Sequence, residues 1–332
     1  MRESLHNKCI LFIENRDTFK AAFPFESSNL FPICASVLTD CDRVADAKTL
    51  KETRNMLKSR VSVFSNLRGT CELPLLAMLD VDSDPDWRLD KTIEVYNCLK
   101  KRFFSSEYLS LAAMVISGGV QSERYEEVCE RARRIYDLMK KEHPFLTSSE
   151  DCVFAALLAL SDKSDGVLIR DIETCYETLK EKFHDRNALQ SLSHVLALVG
   201  DEFMTPSDKC RNTVRLFDLI KEKKYKYDTS YYLPTLGTLA NLPCGVEEVA
   251  QDLIDVAEFL KAQKGYGFFG FDKNQRLLHA AMIVTADRIG GSRVMSGAAI
   301  GSTVSMIAAQ QAATCAAIAV SISAANAARA AR

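Results

Sequence analysis

An apolar residue followed by lysine recurs along the chain at Phe19-Lys20, Leu57-Lys58, Leu99-Lys100, Met139-Lys140, Leu179-Lys180, Ile220-Lys221 and Leu260-Lys261. Successive lysines lie 38, 42, 40, 40, 41 and 40 residues apart. A fixed period of this length constrains a fold more than local propensity does. Each repeat must be one supersecondary unit that buries its apolar face only by stacking on its neighbours. Every element closes a helical pattern: Ile172, Cys175, Tyr176, Leu179 and Phe183 fall on one helix face. Val128, Ala132, Ile135, Tyr136 and Met139 do the same one repeat earlier.

After each element the sequence predicts a short loop, usually with an aromatic, then a cap-like residue and a second apolar helix. Ser27-Ser28-Asn29, Ser105-Ser106-Glu107 and Ser148-Ser149-Glu150 mark these starts. Thr147 with Glu150 three residues on has the form of a capping box, and Pro74 fits a first helical turn after Thr70. The second helices are rich in small and apolar residues, as in Leu111-Ala112-Ala113-Met114, Phe154-Ala155-Ala156-Leu157-Leu158 and His279-Ala280-Ala281-Met282. That composition suits an inner packing layer.

Seven helix-loop-helix units over about 4–288 predict an all-α protein. The period is too long for tetratricopeptide or ankyrin arrays and sits at the short end of the roughly 40–47 residues of HEAT and armadillo repeats. The expected fold is a right-handed α-solenoid, an α/α superhelix of about seven hairpins, over residues 1–288, followed by an Ala-rich, charge-poor C-terminal helix over 292–332. The same hairpins could curl into a closed α/α toroid. With 14 glycines and 8 prolines in 332 residues, the chain is too poor in turn residues for a sandwich or barrel.

The stretch from Cys129 through Asp165, which contains ERARRIYDLMKKEHPFLTSSEDCVFAALLALSDKSD, resembles the core of the domain-of-unknown-function family numbered four thousand and three. The later segments LKEKF and LALVGDEF fit that family too. The resemblance implies a bacterial cytosolic protein, and it carries no activity and no functional residue.

Two motifs fail on their own chemistry. Gly265-Tyr266-Gly267-Phe268-Phe269-Gly270 spells GxGxxG, but a dinucleotide site needs a strand before it and a helix opening at its end. Here a helix precedes it and three aromatics would crowd a phosphate, so an inter-helix loop is expected. Asp80-Val81-Asp82-Ser83-Asp84-Pro85-Asp86 resembles the start of a calcium loop, yet Pro85 and Lys91 occupy the places of the required glycine and glutamate. An acidic connection capping a helix that begins near Asp90 is expected instead. The five histidines (His6, His143, His184, His194, His279) reach no metal-ligand spacing. The eleven cysteines form no CxxC and read as reduced, buried thiols. No catalytic residue, metal site or cofactor is predicted.

The lysines of the repeated element, Lys58, Lys100, Lys140, Lys180, Lys221 and Lys261, fall at equivalent turns and define a candidate interaction edge. Aromatics follow close behind at Phe64, Phe103, Phe104, Phe145, Phe183, Tyr225, Tyr227 and Tyr266. Basic residues interleaved with aromatics are the composition of a single-strand nucleic-acid track. The competing expectation is that the cations complement helix C-termini while the aromatics pack into the core. A net charge of −2 gives no global drive toward nucleic acid, so the second expectation is preferred.

Val294 to Ala328 carries no formal charge over 35 residues, long enough to span a bilayer. It lacks Leu and Phe and includes Gln310, Gln311 and Asn326, which argues for docking on another helix or self-association, with peripheral membrane contact as the alternative. The run Cys9–Ile13 is too short for a signal-peptide core, and a cytoplasmic protein is expected. The functional expectation is a non-enzymatic scaffold that binds a protein partner or itself. A nucleic-acid-binding solenoid is the alternative, and an α/α-toroid enzyme a further one.

Overall fold

The computed structural model describes residues 1–199, 204–230, 232–267 and 270–295, with side chains of the last helix described to Ile289. Fourteen α-helices and no strand occur among the described residues. They are α1 (Glu3–Ala22), α2 (Leu30–Asp40), α3 (Ala47–Arg60), α4 (Glu72–Asp80), α5 (Pro85–Lys100), α6 (Tyr108–Gly119), α7 (Tyr125–Glu142) and α8 (Asp151–Ala159), then α9 (Asp165–Leu179), α10 (Arg186–Leu198), α11 (Pro206–Glu222), α12 (Leu233–Ala240), α13 (Val246–Lys261) and α14 (Lys273–Met295). The segment predicted as a C-terminal helix lies outside the described residues beyond Met295. Among the described residues, no helix is long and apolar enough to cross a membrane.

The chain divides into two compact units. One comprises Glu14–Ile169. In it α3 packs on α4, α5 on α6 and α7 on α8, and the short connections make each pair antiparallel. First helices also touch first helices (α3, α5, α7), and second helices touch second helices (α2, α4, α6, α8). The other unit comprises Met1–Ile13 and the chain from Arg170 onward. There α11 packs on α12 and α13, while α12 packs on α10 and α14.

Periodicity explains the two helix types. In the ten residues ending at the marker lysine, the second, fifth, sixth and ninth are buried in five of the first helices: Phe12, Asn15, Arg16 and Phe19 in α1; Thr92, Val95, Tyr96 and Leu99 in α5; Ala132, Ile135, Tyr136 and Met139 in α7; Ile172, Cys175, Tyr176 and Leu179 in α9; Leu253, Val256, Ala257 and Leu260 in α13. That is one stripe of an amphipathic helix. Second helices are buried on all sides, as from Leu109 to Ser117 in α6 and from Asp151 to Ala159 in α8. A helix apolar all round needs neighbours all round.

Their carbonyl ends are covered by side chains from first helices. Arg131 of α7 donates to the carbonyls of Ala159 (3.1 Å), Ser161 (2.5 Å) and Lys163, and its Nε meets Asp165 Oδ1 at 2.9 Å. Arg88 of α5 likewise reaches the Met114 carbonyl at 2.8 Å. Asn15 of α1 donates to the Arg43 carbonyl at 2.9 Å and accepts from the Ala45 N–H at 2.7 Å. The Ala159 carbonyl is one that a helix terminus leaves without an internal partner, and the Arg43, Ala45, Ser161 and Lys163 groups lie in the connections between helices.

Several local expectations need correction. The Thr147–Glu150 capping box does not form: α8 begins at Asp151, whose carboxylate accepts from the Ser148 N–H at 2.7 Å. A true capping box appears instead at Thr205 and Asp208, ahead of α11. The helix expected near Asp90 starts at Pro85, capped by Asp84 through the Trp87 N–H. The other acids of that connection serve arginines, Asp82 facing Arg88 at 3.7 Å and Asp86 bonding Arg60 at 2.8 Å. Two of the three glycines of GxGxxG have a structural reason in the backbone, while Gly267 faces open space. Gly265 has φ of 95°, and a Cβ on Gly270 would come within 1.9 Å of the Gly265 carbonyl oxygen. Between them the buried Tyr266 places its hydroxyl 2.8 Å from His279 Nδ1. The described cysteines are buried except Cys41 and Cys244.

Candidate functional site

The six lysines all occur at the end of a first helix. Lys58, Lys140 and Lys221 sit in the last turns of α3, α7 and α11, Lys100 and Lys261 are the final residues of α5 and α13, and Lys180 follows α9 directly. All are exposed. Their surroundings differ. The ammonium groups of Lys100 and Lys140 lie over the rings of Tyr96 and Tyr136, 5.5 and 6.0 Å from the centroids. Lys180 pairs with Glu177, which holds its ammonium above the usual lysine range, and Lys261 pairs with Glu258 at 3.0 Å.

The aromatics behind the lysines divide sharply, and the expectation that they pack into the core holds only for some. Phe103, Phe183, Tyr227 and Tyr266 are buried. Phe64, Phe104 and Phe145 stand in solvent, 93%, 97% and 98% exposed, and Phe25, which the repeat reading did not single out, is fully exposed. These four lie 39, 40 and 41 residues apart, one in each connection from first to second helix within the Glu14–Ile169 unit. Isolated exposed apolar residues are ordinary; one solvated phenylalanine in each of four successive connections is not.

Hydrogen bonds hold these connections to adjacent helices and, in one case, to each other. Arg54 of α3 bonds Glu26, beside Phe25, at 2.5 Å, and also bonds Glu72. Asn66 donates to Ser105 Oγ at 2.9 Å, joining the loop of Phe64 to that of Phe104. Arg102 pairs with Glu126 and Glu130 of α7. Together with the Cys98 thiol, which donates to Glu126 at 3.0 Å, Arg102 holds the Glu126 carboxyl below its usual range, the thiol contributing more. Arg133 of α7 donates to the Arg102 carbonyl at 2.9 Å and lies over the Phe103 ring. The Phe64 and Phe104 connections are thus joined directly, while the Phe25 and Phe104 connections are each bonded to the first helix that follows, α3 and α7.

Elsewhere the chemistry is sparse. A cavity of about 410 Å³ beside Lys180 is lined by Tyr176, Glu177, Phe183, His184 and Arg186 among others, with both signs of charge. Among the described residues no group of three or more His, Cys, Asp or Glu side chains is placed to hold a metal ion. Phe64, Phe104 and Phe145 are visible in the sequence behind the lysines, and the spacing extends to Phe25, but spacing alone does not separate these exposed rings from buried neighbours such as Phe103.

Comparison with known proteins agrees with the helical core signature. A family model described as a protein of unknown function, DUF4003, matches residues 15–312. The chain is 24% identical over 326 residues to the uncharacterized protein YeaA of Bacillus subtilis (strain 168), covering 96% of each. No solved structure matches.

Proposed function

We propose, for a chain that belongs to the DUF4003 family of proteins of unknown function, that it is a non-enzymatic binding protein built as a solenoid of seven helical hairpins. The working surface is the row of connections carrying Phe25, Phe64, Phe104 and Phe145. The recurring burial stripe in α1, α5, α7, α9 and α13 supports the repeat reading. The observation that carries the binding reading is the solvation of four phenylalanines at one repeat position. Single exposed apolar residues are ordinary, but a fully solvated phenylalanine in each of four successive connections repeats a solvation cost that a binding role would offset. In this reading the lysines assist the row, and they do not form an independent track: Lys180 and Lys261 are engaged by glutamates.

The test is site-specific photo-crosslinking in cells, with benzoyl-phenylalanine placed at position 64 or 104 of the full chain. Adducts should form at both positions and not at Lys48, an exposed residue at the opposite end of α3. Equal adduct yields at 48, 64 and 104 would remove the binding edge.

A further inference from the structure

Resting on that reading, we infer that the occupant of the phenylalanine row is an anionic lipid surface, entered by the four loop tips as a peripheral contact. Three observations favour it. Rings that are 93–101% exposed touch neither the protein nor one another, so they form four separate protrusions. A rigid protein partner would need four pockets in register to receive them. A fluid bilayer needs none. A nucleobase platform supports one ring face on the protein and offers the other, whereas here both faces of every ring are in water.

Exposed cations stand just behind the tips. Lys20, Lys58, Lys100, Lys101, Lys140 and Lys141 lie at the ends of the helices that lead into these loops, three to six residues before the corresponding phenylalanine. One helical turn rises about 5.4 Å, so a ring at the acyl boundary leaves these ammonium groups at headgroup depth. Interfacial contacts bury apolar groups roughly 5–10 Å into that layer and gain from basic residues facing anionic lipid. Val63, next to Phe64 and 64% exposed, adds to one tip. The acids on this edge are Glu26, engaged by Arg54, the half-buried Glu107 and Glu150 at the far ends of their connections, and the exposed Glu142, fewer than the six lysines. In the other unit the aromatics that follow the lysines are buried (Phe183, Tyr227, Tyr266) or half-buried and bonded to Glu258 (Tyr225), so the lipid contact is assigned to the Glu14–Ile169 unit.

Co-flotation of the full-length chain with vesicles of phosphatidylcholine alone, or with about one third phosphatidylglycerol, tests this. Binding should require the anionic lipid and fall by about tenfold in the Phe64→Ser/Phe104→Ser double variant, with a similar loss at about 0.5 M salt. The Lys100→Glu/Lys140→Glu variant should lose binding without losing its fold, checked by circular dichroism. Absence of wild-type flotation, or flotation that the phenylalanine substitutions leave unchanged, would overturn the lipid assignment. The crosslinks at 64 and 104 separate the two readings. Lipid adducts support this one, and protein or nucleic-acid adducts overturn it while leaving the binding edge standing. No adduct above the Lys48 control would end both.

Discussion

Asn66 and Ser105, thirty-nine residues apart, share a hydrogen bond of 2.9 Å between two successive hairpin connections. It fixes the base of the Phe64 loop against the base of the Phe104 loop. Neither ring takes part, so the bond sets spacing without covering the surface. Asn66→Ala should leave the melting temperature unchanged, since the pair is exposed. It should weaken binding at the edge by about threefold, because two tips held together act at a higher effective concentration than two that move apart. A binding titration of the variant against wild type checks this.

Adjacent residues Phe103 and Phe104 should respond oppositely to truncation. Phe103 packs edge-on against Tyr136 at 5.4 Å with Arg133 over its ring, so Phe103→Ala should cost about 3 kcal/mol. Phe104→Ala should change unfolding free energy by less than about 0.5 kcal/mol. Urea denaturation of the two variants reads the difference directly.

That contrast also marks how far sequence reasoning reaches here. The helix pairs were legible because burial of Ile135, Tyr136 and Met139 follows from spacing alone. Which member of the Phe103-Phe104 doublet turns inward was not, since Arg133 and Tyr136, about thirty residues on, decide it. The start of α8 was misplaced for a similar reason. Ser148, Ser149 and Glu150 all suit a cap, and the buried carboxylate of Asp151 takes the Ser148 N–H in their place. The lysine edge was visible as a pattern, but not that Glu177 and Glu258 engage two of its members.

Arg131 should be among the most sensitive charged residues. It joins three carbonyls beyond or at the end of α8 to Asp165. Arg131→Leu keeps the aliphatic contact and strands those acceptors, which should cost about 2–3 kcal/mol. Hydrogen exchange should show the loss concentrated at the α8–α9 connection.

Burial raises the Asp151 carboxyl to about 7. A carboxyl with a folded pKa above its unfolded value favours folding while protonated. Its contribution is therefore full below about pH 4 and declines as the pH rises toward 7. Asp151→Asn keeps an acceptor for the Ser148 N–H and removes that decline. The variant should match wild type near pH 4 and exceed it near pH 8, by at most about 4 kcal/mol. Thermal melts across this range supply the comparison, and a wild-type advantage at pH 8 would contradict it.

Arg2 bonds Asp252 at 2.9 Å and Asp287 at 2.6 Å, and His6 packs edge-on against Phe259. The opening residues of α1 therefore belong to the unit that ends with α14. On the ribosome these partners emerge far apart in time. At about 5–20 residues per second, Arg2 waits roughly 15–60 s for Asp287 to be synthesised. Leu5, Cys9 and Phe12, all buried in the finished protein, are solvated throughout that interval. The Glu14–Ile169 unit has all its residues long before then. Synthesis thus sets an order of maturation in which the first helix is completed last, and a nascent-chain chaperone has a defined apolar stripe to protect meanwhile.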